Sequence, residues 1–262
     1  MTRRPEPDIP CHFGPHGGLF GLYHPGAFGA KTAVLLCPPL GQDLIRCHRL
    51  YRQLAHVLAG QGTAALRFDY YGTGDSAGGS EEVEWLRCLE DVATAAEELR
   101  LRSGCERIVG FGARLGASLA LAAADNARLD ELILWDPVLD GAAHVAALDA
   151  LQAALRFDAD RFVAPRPVKA LADQWQGFAV GICLRQQLAE LCLDPLHRRT
   201  LLLQSVVAGA AADRHRFAAA GAEVASLSQH TPWNELARLE TAIQSHELIE
   251  IVSRRVQEVI HA

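Results

Sequence analysis

Lysine is nearly missing from this chain of 262 residues: Lys31 and Lys169 are the only two among 25 lysines and arginines. Positive charge therefore rests almost wholly on arginine, whose guanidinium stays charged at physiological pH and is neither base nor nucleophile. A surplus of positive charge is missing too. The formal net charge is −6, so no basic field draws in nucleic acid or an anionic membrane. No run of about 18 uncharged apolar residues occurs, so nothing reads as a membrane span. The opening MTRRPEPDIP has two arginines but no apolar stretch behind them, which argues against a secretory leader. CxxC is absent. The cysteines, Cys11, Cys37, Cys47, Cys88, Cys105, Cys183 and Cys192, are odd in number and scattered, as expected of reduced thiols in the cytoplasm. The histidines form no HxxxH or HExxH with carboxylate support, so neither a metal site nor a cofactor is expected.

What is present is an alternation of apolar strands and amphipathic helices. TAVLLC (Thr32–Cys37), Ala64–Phe68, Arg107–Phe111 and Glu131–Trp135 are short apolar runs of the kind buried on both faces of a sheet. Helical spacing lies between them at Leu44–Leu58, Glu81–Arg102 and Leu115–Ala124. Cys11–His24 reads as a glycine-rich hairpin at an edge. Such alternation means βαβ units and a parallel sheet. It stops at Asp140 and resumes at Thr200–Gln204, Asp213–Ala220, Glu223–Leu227 and a terminal helix from about Thr241 to Ile260. The expectation is an α/β core over residues 1–139 and 195–262 carrying a helical cap over 140–194. That cap contains helices around Ala146–Leu155 and Leu184–Leu191, a Pro-rich joint at Pro165 and Pro167, and Trp175, Phe178 and Leu184 as apolar lining over a ligand crevice.

The densest signal is Arg107–Ala120, RIVGFGARLGASLA. Its turn, Gly112-Ala113-Arg114-Leu115-Gly116, has the glycine frame of a nucleophile elbow, where a strand turns into a helix too sharply for side chains at the flanking positions. The central residue is Arg114, which cannot take the place of serine in acyl transfer.

With Pro38-Pro39-Leu40-Gly41, Arg67-Phe68-Asp69-Tyr70-Tyr71-Gly72-Thr73-Gly74-Asp75-Ser76 and this elbow, the chain resembles the α/β-hydrolase superfamily. Leu134-Trp135-Asp136-Pro137-Val138, Thr231-Pro232-Trp233-Asn234 and the cap stretch Gly177–Asp194 are similar to a narrower group, the hydrolase-like proteins associated with bacterial exosortase and exopolysaccharide loci. In that group the elbow commonly reads G-x-R-x-G. The resemblance covers roughly Leu35 to Asn234. It implies an α/β-hydrolase fold, with a mainly parallel central sheet, helices on both faces and a helical cap, and an ester, thioester or other acyl compound as substrate. It also implies oxyanion-hole N–H groups from Leu40, Gly41 and Leu115, and a base at His230, just past the last strand. The acid should closely follow Leu201–Gln204. Ser205-Val206-Val207-Ala208-Gly209 stands there instead, with Asp213 late and Asp136 as a substitute position.

Read as residues alone, Leu40, Gly41 and Leu115 also suit plain turns, and His230 also suits a loop without chemistry. Ser118 reads as packing, Ser76 as a helix cap and Cys37 as a buried thiol. Arg114, at a helix N-terminus, suits either an anionic ligand or an internal ion pair with Asp43, Asp69, Asp136 or Asp213. Two functions follow: an acyl-handling hydrolase lacking the elbow serine, or a non-catalytic relative acting as a ligand-binding or scaffold protein. The partner is a small acyl or anionic molecule, and a homo-oligomer stays open.

Overall fold

The computed structural model describes residues 8–166, 173–205 and 210–261. Pro167 and residues 206–209, where the acid was sought, lie outside these. The apolar run TAVLLC forms β3 (Thr32–Cys37), buried along its whole length. Ala33, Leu35 and Cys37 pack into one layer and Val34 and Leu36 into the other, the period-two alternation of a strand covered on both faces. Beside it lie β4 (Ala64–Asp69) and, on the other flank, β5 (Arg107–Ala113), both parallel to it. The sheet continues in parallel through β6 (Glu131–Trp135), β9 (Thr200–Gln204) and β10 (Glu223–Ser226). At the opposite edge β1 (Ile9–Phe13) and β2 (Leu19–His24) form the expected hairpin, and β2 pairs antiparallel with β4. The order is β1-β2-β4-β3-β5-β6-β9-β10.

Helix α1 (Gln42–Gly60) buries Cys47, Leu50, Tyr51, Leu54 and Leu58 on one face of the sheet, together with α7 (His246–His261). Helices α2 (Trp85–Ser103) and α3 (Leu115–Ala122) cover the other face, and small residues let α3 lie close. The helix after β3 thus lies on one face and the helix after β5 on the other. The chain parts at the C-terminal ends of these two strands, and a crevice opens there. This is the α/β-hydrolase fold that the resemblance implies.

Segment 140–194 forms α4 (Gly141–Leu155), a hairpin of β7 (Gln174–Trp175) and β8 (Phe178–Ala179), and α5 (Ile182–Ala189). The sequence reading held no strand here. Strands of two residues carry no period to read, and the turn between them, Gln176-Gly177 with φ 53° and 95°, is the tight left-handed type that matches strand twist. Two residues of α4 hold the hairpin. Asp149 accepts from Trp175 Nε1 at 2.8 Å and also pairs with Arg185, and Gln152 Oε1 accepts the Gln176 N–H at 2.6 Å. The segment is tied to the core where Gln187 Oε1 accepts the Trp85 N–H at 2.6 Å. Among the described residues no helix is long and apolar enough to cross a membrane.

Candidate functional site

Arg114 caps α3 with φ 51° and ψ −128°, a left-handed conformation that L-residues adopt only under constraint. The constraint is visible. A Cβ at Gly112 would stand 2.4 Å from the Gly116 carbonyl oxygen, and one at Gly116 would stand 2.3 Å from the Cys37 carbonyl oxygen, so strand, turn and helix touch backbone to backbone. The Arg114 N–H donates to Trp135 O at 2.9 Å, which ties the turn to β6. Next to it, Leu115 opens the helix, so its N–H has no acceptor within α3.

Beside the elbow lies a cavity of about 350 Å³. Leu40, Gly41 and Leu115 all line it, so the three oxyanion candidates share one lining. Trp175, Phe178 and Leu184 from segment 140–194 line it as well. The cavity is at the lower end of small-molecule sites, about 300–1,000 Å³, and it is mostly apolar with a few polar groups, the composition such sites have.

The Arg114 side chain is 12% exposed. Its Nε lies 3.6 Å from Asp43 Oδ2, a charge contact longer than a hydrogen bond, and its guanidinium carbon stands 5.4 Å from the ring centre of Trp233. The Trp233 indole N–H donates to Asp136 Oδ2 at 2.8 Å. Asp136 also accepts from the Ser205 N–H at 2.9 Å and from the Ser205 hydroxyl. Arg114, Trp233 and Asp136 therefore stand in a row, the guanidinium near the indole ring and the indole N–H on the carboxylate. No proton can pass along this row: the guanidinium holds its proton, and an indole nitrogen only donates. Arg46, 1% exposed, fixes the Trp233 loop from below. It donates to Trp233 O at 2.9 Å, Pro232 O at 2.7 Å and Thr241 O at 3.3 Å, and lies 3.5 Å from Asp43.

The other expected residues stand elsewhere. His230 is half exposed, its Nε2 is 3.1 Å from Glu235 Oε1, and it is not among the residues lining the cavity. Asp213 lies on α6 (Ala210–Ala219) with Arg216, also away from the lining. Of the four carboxylates weighed for Arg114, Asp43 is the one in ion-pair range among the described residues. Ser118 is fully buried, its hydroxyl between Val138 and the Arg114 carbonyl. Ser76 accepts the Phe20 N–H and donates to Asp69 O, which joins β2 to the loop after β4. Burial pushes the Cys37 thiol up, out of reach of the reactive thiolate form.

A family profile described as serine aminopeptidase, S33, matches residues 31–257. The chain belongs to this hydrolase family. No curated protein matches it. Solved structures of similar fold include DcsB in complex with its substrate analogue, at 16% identity over 98% of this chain and 99% of that one, with a TM-score of 0.64. A carboxyl esterase from Bacillus coagulans in complex with glycerol is similar at 14% identity over 97% and 98%, TM-score 0.63. A serine hydrolase without lid from Xanthomonas campestris is similar at 15% identity over 97% and 93%, TM-score 0.55. At these identities the likeness is one of fold. Within a family described by its serine, this hydrolase-fold chain carries arginine at the elbow.

Burial and the Arg114 charge push the His144 imidazole, in the cavity wall, down to about 3. Burial pushes His24 down to about 4, with Arg67, His56 and Arg52 adding to it and Asp8 opposing. Both histidines fold neutral, so below pH 6.5 the unfolded chain takes up protons that the folded chain refuses. Stability is fully present above about pH 6.5 and falls as the pH drops towards these lower values. Each histidine should cost about 2 kcal/mol between pH 7 and pH 5. Burial raises the Asp43, Asp69 and Asp91 carboxyls, which act in the opposite sense, so the measurement is a difference. Urea midpoints of wild type and His144→Gln at both pH values should show a shallower loss in the variant. Equal losses would remove His144 from the account.

Sequence spacing gave no metal pattern, yet the fold brings Asp8, His24 and His56 within 4.8 Å of one another. Arg67 decides how they read. Its Nε–H donates to His24 Nε2 at 3.2 Å, which places the imidazole proton on Nδ1, 3.2 Å from Asp8 Oδ1. A cation held by Nδ1 would displace that proton beside a guanidinium, so the donor set fits an ion network better than a metal.

Proposed function

We propose that this chain is a ligand-binding member of its hydrolase family, holding an acyl compound such as an ester or thioester in the capped cavity without serine-type turnover. The observation that carries the reading is Arg114 at the strand-to-helix turn, its guanidinium beside Trp233, whose indole N–H is held by Asp136. Leu40, Gly41 and Leu115 in the cavity lining support a carbonyl docking beside the elbow, and the apolar cap residues of the same lining support an aliphatic or aromatic tail. The G-x-R-x-G reading of the elbow supports the narrower likeness to exosortase-associated proteins. Free thiols at five buried positions, Cys11, Cys37, Cys47, Cys88 and Cys105, support a reducing cytoplasm. We assign no metal or cofactor to the site.

The test is fluorophosphonate labelling and a panel of short acyl esters with wild type, Arg114→Ser and Arg114→Ser/His230→Ala. Wild type should neither label nor turn over. Arg114→Ser restores a hydroxyl, but His230 is paired with Glu235 away from the cavity lining, so the variant should stay near background, and loss of His230 should change nothing further. Brisk wild-type hydrolysis would overturn the reading. If that hydrolysis also disappeared in Asp43→Asn, the buried carboxyl beside Arg114 would take the part of general base.

A further inference from the structure

Helix α4 turns one stripe towards the cavity. His144 and Leu148, four residues apart on one helix face, both line it. Gln152 follows on that stripe and holds the Gln176 N–H. Eight residues at 1.5 Å rise set the two ends of the stripe roughly 12 Å apart. At one end His144, 8% exposed, lies near enough to Arg114 to feel its charge, and its ring has no hydrogen-bond partner among the described residues. At the other end stands Gln176. Its backbone is held at φ 53°, the residue lines the cavity, and its side-chain Nε2 is buried with no acceptor among the described residues. The wall between is apolar: Leu148, Trp175, Phe178, Leu184 and Leu188.

An amide donor held by a left-handed turn, buried and unmatched, is a group prepared for something that enters. A plain alkyl tail would leave it unmatched, while an oxygen at the tail's end would satisfy it. We propose that the cavity takes an elongated acyl chain bearing an oxygen acceptor at the end remote from the elbow, received by Gln176 Nε2. The ligand's carbonyl lies at the Leu115 end, beside His144, and its apolar middle runs past Leu148. This rests on the acyl-binding reading above and adds the chemistry of the far end.

Calorimetric titration of the wild-type protein with methyl decanoate and methyl ω-hydroxydecanoate tests it. The hydroxylated probe should bind about tenfold tighter, the worth of one buried hydrogen bond made instead of missed. Gln176→Met removes the donor and keeps the length, so it should abolish the difference through weaker binding of the hydroxylated probe alone. In the wild-type protein, without any variant, the Gln176 side-chain amide resonance should shift with the hydroxylated probe and not with the plain one. Equal affinity of the two probes, or an unmoved amide, overturns this inference and leaves acyl binding standing. Failure of both probes to bind overturns the acyl-binding reading beneath it.

Discussion

Gly116→Ala should cost the fold on the order of 4 kcal/mol or more, whereas Gly60→Ala, the same change in chemistry, should stabilise it by about 0.4–1 kcal/mol. The two glycines differ in what a methyl group would meet. At Gly116 it would stand 2.3 Å from the Cys37 carbonyl oxygen and 2.5 Å from the Pro38 carbonyl oxygen. Those are backbone atoms of β3 and the loop beyond it, which cannot swing aside as a flexible side chain would. Relief requires α3 to lift from the sheet, which opens the layer in which Ala117 and Ala120 are fully buried. At Gly60, the last residue of α1, nothing lies within 4 Å and φ is not left-handed, so alanine only narrows the unfolded ensemble. Denaturant midpoints of the two variants against wild type check the pair. A loss under 1 kcal/mol for Gly116→Ala would mean that the elbow can spread, and the backbone contact would no longer explain the conformation of Arg114.

Arg46→Met should cost about 3–5 kcal/mol, the range seen when one member of a buried charged network is removed. Methionine fills much the same space, so the loss is electrostatic. The carbonyls of Pro232 and Trp233 lose their donors, the second of them in a buried place, and Asp43 keeps Arg114 alone as counter-charge. Arg46→Lys should recover only part, because an ammonium is a point donor and the three carbonyls are spread around a fork. Tryptophan emission should report the change as well, since Trp233 packs against Trp135 with ring centres 4.9 Å apart. A midpoint shift below 1 kcal/mol for Arg46→Met would show that the 231–234 loop is held by other means.

Local signals carried much of this architecture. Thr32–Cys37, Glu131–Trp135 and Thr200–Gln204 fall at the bounds read from apolar runs, because a strand covered on both faces keeps its polar residues to its ends. The glycine frame marked the elbow, because a backbone contact leaves a compositional trace at the glycines themselves. The partners of Arg114 left no such trace. Trp233 and Asp136 are 97 positions apart, and Arg46 and Trp233 are 187 apart, so their meeting is a property of the folded chain and of no window of sequence. Trp233 was visible only as part of a resembling tetrapeptide. His144, a single histidine in an alanine-rich helix, had nothing beside it to mark it. His230 sat at the expected place in chain order, but order along the chain does not fix which way a loop residue faces, and its ring pairs with Glu235.

Residue 114 is presented by its surroundings and not by its own chemistry. Gly112, Gly116 and the Cys37 carbonyl set the turn, and the side chain is only what that turn carries. Presentation and identity are thereby uncoupled, as in a tool holder that accepts different heads. For protein engineering this makes position 114 a one-codon mount: a thiol, an imidazole or a synthetic side chain placed there inherits a fixed launch point at the junction of strand and helix, next to a ready-made chamber.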